Sequence, residues 1–188
     1  MILSKKQLYK GWSSLTEYTI KHFISPEKYI PIRREIFNSG DGAAALLYNP
    51  FRRVVILIRQ FRLAAYINGH ENGKMMEVCA GMLDGNDPED AIINEIFEET
   101  GYRIEKVEFV AEVYATPGAH TEKVRLFIAE CNDDMLIGEG GGLESEHEDI
   151  EVLEIGYEEV LNMVNKKTIQ DAKTLILLQH AMIEGIIS

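Results

Sequence analysis

The chain of 188 residues carries 31 Asp and Glu against 19 Lys and Arg, a formal charge of -12, and 46% of it is hydrophobic. This suits one compact, soluble domain able to bury a full core. A negative surface repels DNA, RNA and anionic lipid, so no nucleic acid and no membrane partner is expected.

The opening "MILSKKQLYKGW" lacks the apolar stretch of a signal peptide, and no later run is long enough to span a bilayer, which predicts a cytoplasmic protein. "LTEYTIKHF" and "KYIPIRREIF" alternate loosely around Pro26 and Pro31. They predict two irregular strands or a hairpin, a β extension over residues 1–40 outside the main core. From residue 41 onward, strand-like runs follow at "AAALLYN", "RVVILIRQFR", "KMMEVCAG", "VEFVAEVYA", "KVRLFIAEC" and "IEVLEIG". Helical patterns fall at "DPEDAIINEIFEET", "YEEVLNMVNKK" and "IQDAKTLILLQHAMIEGII". The expected class is α+β: an α/β/α sandwich around a mixed sheet, spanning residues 41–188. Cys79 and Cys131 sit in strand-like surroundings with no CxxC spacing, and read as two buried thiols in a reducing compartment.

The mid-chain helix concentrates the chemistry. Asp87 is placed to cap it, Pro88 is pre-set for the first helical position, and Gly101 ends it as a left-handed cap residue would. Ile92, Ile93, Ile96 and Phe97 make an apolar stripe that docks on the sheet. Glu95, Glu98 and Glu99 share another face at i, i+3 and i+4 spacing, where like charges weaken a helix. Two readings are open: an ordinary solvated acidic face, or a cation site. The glycine-bearing turn before the helix and the carbonyl of Ala80 add hard oxygen donors of the kind Mg²⁺ or Mn²⁺ takes, which favours the second.

Gly81, Asp87 and the run Glu95-Ile-Phe-Glu98-Glu99-Thr-Gly101-Tyr102 resemble the Nudix box, G-x5-E-x7-R-E-U-x-E-E-x-G-U with U bulky and apolar. That box marks hydrolases that cut a nucleoside diphosphate linked to another group. Its C-terminal half is matched, with aromatic Tyr102 as the last U. In its N-terminal half Asp87 replaces Glu, Asn94 replaces Arg, and the spacing is one residue short. In the family that Glu and Arg tie loop to helix and are not the principal metal ligands, so the box reads as active. "LIRQFR", "EVCAGMLD", "YATPGAHTEK", "GGGLESEHEDIEVLE" and "DAKTLILL" are similar to segments of the nucleoside-diphosphate-sugar pyrophosphatases, above all of those acting on GDP-mannose.

The resemblance implies a Nudix fold and a homodimer in which the N-terminal strands reach the partner's active site. It implies metal-dependent hydrolysis of a nucleotide sugar, most closely GDP-mannose to GMP and mannose 1-phosphate. ADP-ribose or ADP-sugar cleavage and a non-catalytic nucleotide-binding module are the alternatives. Residue by residue, it implies Ala80, Glu95 and Glu99 as metal ligands with Glu98 alongside, and Gly81 and Met82 as backbone contacts to the diphosphate. Arg62 matches a substrate-binding arginine, although a structural salt bridge suits it as well. Arg33, Arg34 and Glu35 match the stretch that crosses the dimer to the nucleotide. Trp12 matches an aromatic packed on the base, or is plain apolar packing. Glu122 and Lys173 match sugar or phosphate contacts. In the loop "GEGGGLESEHEDIEV", the alternative to a solvated acidic loop is a catalytic base and an outer metal ligand. Glu146 is the preferred base and Glu148 the group near the metals, with the three glycines expected to let the loop swing.

Overall fold

The computed structural model describes residues 1–143 and 148–188. The chain divides into two compact units, Met1–Asp41 with Val113–Val124, and Gly42–Glu112 with Arg125–Ser188.

The first unit is built on an antiparallel sheet of three strands in the order β1 (Ile2–Lys10), β2 (Ser14–Ser25), β3 (Lys28–Asn38). These strands are longer and more regular than the sequence pattern predicts. Pro26 lies in the turn between β2 and β3, while Pro31 sits inside β3 opposite Lys21. In this sheet β3 pairs only with β2, and an edge strand tolerates the N–H that proline lacks. The end of β3 is stitched to the 113–124 segment: Phe37 donates its N–H to the Ala119 carbonyl at 2.8 Å, and Thr121 donates to that of Phe37 at 3.1 Å.

The second unit holds β4 (Gly42–Asn49), β5 (Val54–Phe61), α1 (Leu63–Ile67), β6 (Lys74–Glu77), β7 (Cys79–Met82), α2 (Pro88–Thr100), β10 (Glu151–Gly156), α3 (Tyr157–Asn165) and α4 (Ala172–Ile183). The hairpin β8 (Glu108–Tyr114) and β9 (Lys123–Glu130) completes a sheet in the order β10-β5-β4-β9-β8. The five-residue α1 is too short to show helical periodicity and was not expected from the sequence. "KMMEVCAG" forms two short strands, not one. At Val78 the chain changes partner, with Glu77 opposite Ile58 of β5 and Cys79 opposite Ala45 of β4. β5 pairs antiparallel with β10, β4 and β6, and β4 with β7, but β4 and β9 run the same way. Lys123 at the start of β9 bonds the Asp41 side chain just before β4, and Cys131 after β9 bonds the Tyr48 carbonyl late in β4. The sheet is therefore mixed, and the class is α+β as expected.

Alternation along β4 separates two cores. Ala43, Ala45 and Leu47 share a buried cluster with Ile92 and Ile96 of α2, whereas Ala44 and Leu46 are equally buried and point away from it. Helix α4 packs on β4, and α3 on β10 and β5. Both cysteines are buried and unbonded to one another. Among the described residues no helix is long and apolar enough to cross a membrane.

Gly101 closes α2 in the left-handed region at φ 77°, and a Cβ there would stand 2.3 Å from the Gly138 carbonyl oxygen. Gly101→Ala should therefore lower stability by more than about 1 kcal/mol in urea unfolding. Gly118→Ala, where a Cβ meets nothing within 4 Å, should leave it unchanged.

Candidate active site

Local chemistry fixes both ends of α2. The Asp87 carboxylate accepts the N–H of Glu89 at 2.9 Å, Pro88 follows it, and Gly101 donates to the Phe97 carbonyl at 2.9 Å. With Ile92 and Ile96 turned into the core, Glu95 and Glu99 take the flank that faces β7, Glu98 is half-buried, and Asn94 is exposed.

Glu99 is not on a solvated face. It is 1% exposed, and its Oε2 accepts the N–H of Ala80 at 3.2 Å. Burial pushes its carboxyl up to about 8, the charge of Glu95 adds to the shift and that of Glu148 contributes, against a smaller downward pull from the Ala80 N–H. Glu95 lies directly over the strand: a Cβ on Gly81 would sit 2.0 Å from Glu95 Oε1. Glycine is required at 81 because the carboxylate occupies the space of a side chain. Ala80 and Gly81 are themselves held in register opposite Ala44 and Ala43.

Carboxylates pressed together out of water, beside strand backbone, are the hard-oxygen donors that a divalent cation neutralises. Among the described residues no three His, Cys, Asp or Glu side chains gather to hold a metal by themselves. A cation at Glu95 and Glu99 would take the rest of its shell from the Ala80 carbonyl, substrate and water, as Mg²⁺ commonly does.

The triple glycine differs from expectation. Gly140, Gly141 and Gly142 all have positive φ, and they dock on the end of α2. Gly141 and Gly142 donate to the carbonyls of Glu99 and Glu98 at 2.8 and 3.0 Å, and a Cβ on Gly140 would meet the Glu99 carbonyl oxygen at 2.8 Å. These glycines cap helix carbonyls at close range, so they anchor the loop and do not hinge it. Beyond them, Glu148 accepts the Leu143 N–H at 3.1 Å, and its charge is felt at Glu99. Glu146 lies outside the described residues.

Arg62 and Lys173 meet on a group that the sequence reading passed over. Arg62 donates from Nε and Nη2 to the two oxygens of Glu77 at 2.7 and 2.9 Å, and Lys173 Nζ reaches Glu77 Oε2 at 2.6 Å and Asp171 Oδ1 at 2.8 Å. Glu77 is 2% exposed. Burial alone would raise its carboxyl, but the Arg62 hydrogen bond and the Lys173 charge outweigh that and hold it below 4.5. Asp171 also caps α4, accepting from the Thr174 N–H at 2.9 Å and hydroxyl at 2.6 Å, and that hydroxyl accepts the Val78 N–H at 2.8 Å. Of the two readings of Arg62, the salt bridge is the one seen, with Glu77, and the charge of Glu99 also reaches it. The available signal for Glu77 is a lone acid in an apolar strand, "KMMEVCAG".

Gly81 and Met82 are partly buried in β7, opposite Ala43 and Gly42. The other candidates belong to the first unit. Trp12 is 81% exposed, and Arg33, Arg34 and Glu35 are exposed on β3. Glu122 pairs with His120 Nδ1 at 3.2 Å, and His120 Nε2 lies 3.0 Å from the Ser39 hydroxyl. A surface recess of 270 Å³ at the turn after β4, lined by Asn49, Phe51, Arg52 and Asn132 to Asp134, contains none of these residues.

The model of the NUDIX domain matches residues 38–177. The chain belongs to the Nudix family. Its Nudix domain is accompanied by similarity at full-length scale to proteins named GDP-mannose pyrophosphatase. That of Pectobacterium atrosepticum is 44% identical over 184 residues, covering 98% of this chain and 94% of that one. That of Cronobacter sakazakii is 49% identical over 154 residues, covering 82% and 80%. That of Escherichia coli O157:H7 is 44% identical over 155 residues, with the same shares. With the Nudix carboxylates gathered on α2, the chain is an enzyme of the Nudix hydrolase class.

The Glu77 cluster predicts a specific acid response. Because its carboxyl is depressed in the fold, its contribution is fully present above the unfolded value of 4.5 and is lost as pH falls through the lower folded value. Glu77→Gln should cost about 1–3 kcal/mol at neutral pH, discounted because the Arg62 side chain is 42% exposed. Denaturant titrations across pH should show the wild-type advantage shrinking below pH 4.5. An advantage constant with pH would contradict the assignment.

Proposed function

We propose that this Nudix hydrolase cleaves the pyrophosphate bond of a nucleotide sugar, GDP-mannose first, giving GMP and mannose 1-phosphate. The observation that carries the reading is the buried Glu99 with half-buried Glu95 beside it, against Ala80 and Gly81, in a chain 44% identical to a named GDP-mannose pyrophosphatase over 98% of its length. Glu95, Glu99 and the Ala80 carbonyl, with Glu98 and Glu148, would hold Mg²⁺ or Mn²⁺, which when bound would supply charge neutralisation at the diphosphate and a lowered pKa for water. Arg62 and Lys173 grip diphosphate oxygens, and the Gly81 and Met82 backbone aligns them. Glu146, or Glu148 in its place, accepts the proton of the water. Its oxygen bonds to one phosphorus as the bridging P–O bond breaks, and the electron pair leaves with the other phosphate. Two buried, unbonded thiols fit a cytoplasmic setting.

The substrate assay is phosphate release through a coupled phosphatase, with Mg²⁺ or with chelator, over GDP-mannose, GDP-glucose, ADP-ribose and ADP-glucose. GDP-mannose should be cut fastest and only with the cation. Preference for an ADP compound would move the substrate to the alternative branch, and no turnover of any would leave a binding module. Glu99→Gln should lower turnover by at least about 10³-fold without loss of stability, since it removes a ligand and a buried charge together. In the same assay Glu146→Gln or Glu148→Gln should slow the chemical step by about 10²- to 10⁴-fold.

The first unit also supports a homodimer. Every residue of β1 is exposed, and Ile2, Leu3, Leu8, Tyr9, Phe23 and Ile30 leave apolar surface of a kind that a second copy would cover. In that assembly Trp12, Arg33, Arg34, Glu35 and Glu122 serve the nucleotide and sugar. Light scattering at micromolar concentration should give twice the chain mass of 21.3 kDa. A deletion of residues 2–10 should shift it to the monomer.

A further inference from the structure

Arg62 follows β5 and Lys173 lies in the first turn of α4, yet both cationic heads close on one carboxylate. Glu77 Oε2 is shared by Arg62 Nη2 at 2.9 Å and Lys173 Nζ at 2.6 Å, so the two cations are neighbours. Two cations sharing one oxygen repel each other, and without a carboxylate between them they would move apart into solvent. Glu77 prevents this, and it is itself immobile. Its side chain is 3% exposed, and the next residue is tied through its N–H to the Thr174 hydroxyl. Three residues on, the next strand, β7, carries Ala80, which is bonded to Glu99.

We propose that Glu77 is a positioning residue for substrate binding, holding Arg62 and Lys173 as a preassembled pair whose outer donors receive the diphosphate. The inference rests on the diphosphate role given to those cations above. Glu77 engages one edge of the guanidinium fork, through Nε and Nη2, and the fork has a second edge able to take an anion. Held this way, the pair costs the substrate little ordering entropy on arrival. Because the grip serves ground state and transition state alike, its loss appears in KM more than in kcat.

The test is a double-mutant cycle on GDP-mannose hydrolysis at saturating Mg²⁺, with thermal melting of each variant. Glu77→Gln should raise KM about 10-fold or more while kcat changes less than about 3-fold. In an Arg62→Gln background the same change should raise KM by a smaller factor than in the wild type, because one of the two groups it positions is gone and only Lys173 remains. Glu77→Asp keeps the charge and the fold but is too short to span both cations, so its KM should also rise; it decides the matter if Glu77→Gln does not fold. An equal KM effect with and without Arg62, or an unchanged KM in both Glu77 variants, overturns the inference. An active wild type with that result leaves the hydrolase function standing, whereas a wild type that cuts none of the nucleotide sugars removes both.

Discussion

A buried carboxylate with carboxylates for neighbours is the constraint around which the second unit is organised. Glu99 is almost fully enclosed, and Glu95 and Glu148 raise the cost of its charge. An apolar side chain at 99 would relieve that cost, so the arrangement makes sense as a site waiting for positive charge. Its surroundings follow from it. Gly81 gives up its side chain to make room for Glu95, and Gly140 fits flush on the helix end because no Cβ intervenes.

The protein's net charge of -12 looks ill-suited to an anionic substrate. The contradiction dissolves at short range, where the field is set by the nearest groups and not by the sum. On one side stand Arg62 and Lys173, already paired with Glu77 and Asp171. On the other stand acids suited to a divalent cation. In the proposed reaction a diphosphate between them would meet positive charge on both flanks.

What could be read from the sequence was what neighbouring residues decide among themselves. Asp87 capping α2, Gly101 in the left-handed region and the Ile92 and Ile96 stripe are settled within one helix, and each appears where the pattern put it. The Glu95 and Glu99 pair was legible for the same reason, helped by the family signature. Glu77, Asp171 and Thr174 were not, because their roles exist only once the start of α4 reaches the β6 to β7 junction, some 96 residues away in the chain. Gly140 to Gly142 were misread as freedom, since three glycines in a row look alike whether they flex or fit against a helix end. The regular three-stranded sheet was missed because β1, ILSKKQLYK, shows no period-two alternation and buries neither face.

The first unit is assembled from two stretches of chain, Met1–Asp41 and Val113–Val124, which sets the order in which it can form. During synthesis, at about 5–20 residues per second, the three-stranded sheet leaves the ribosome seconds before the segment that bonds Phe37 through Ala119 and Thr121. In that interval the end of β3 offers unpaired backbone groups beside exposed Phe37, a strand edge open to wrong pairing. Lys5, Lys6 and Lys10 on β1 put charge on the opposite edge of the sheet, where it discourages such encounters. Cutting the chain after Asn38 would likewise not yield two independent pieces, because the later segment would keep its place in the sequence and lose its partner strand.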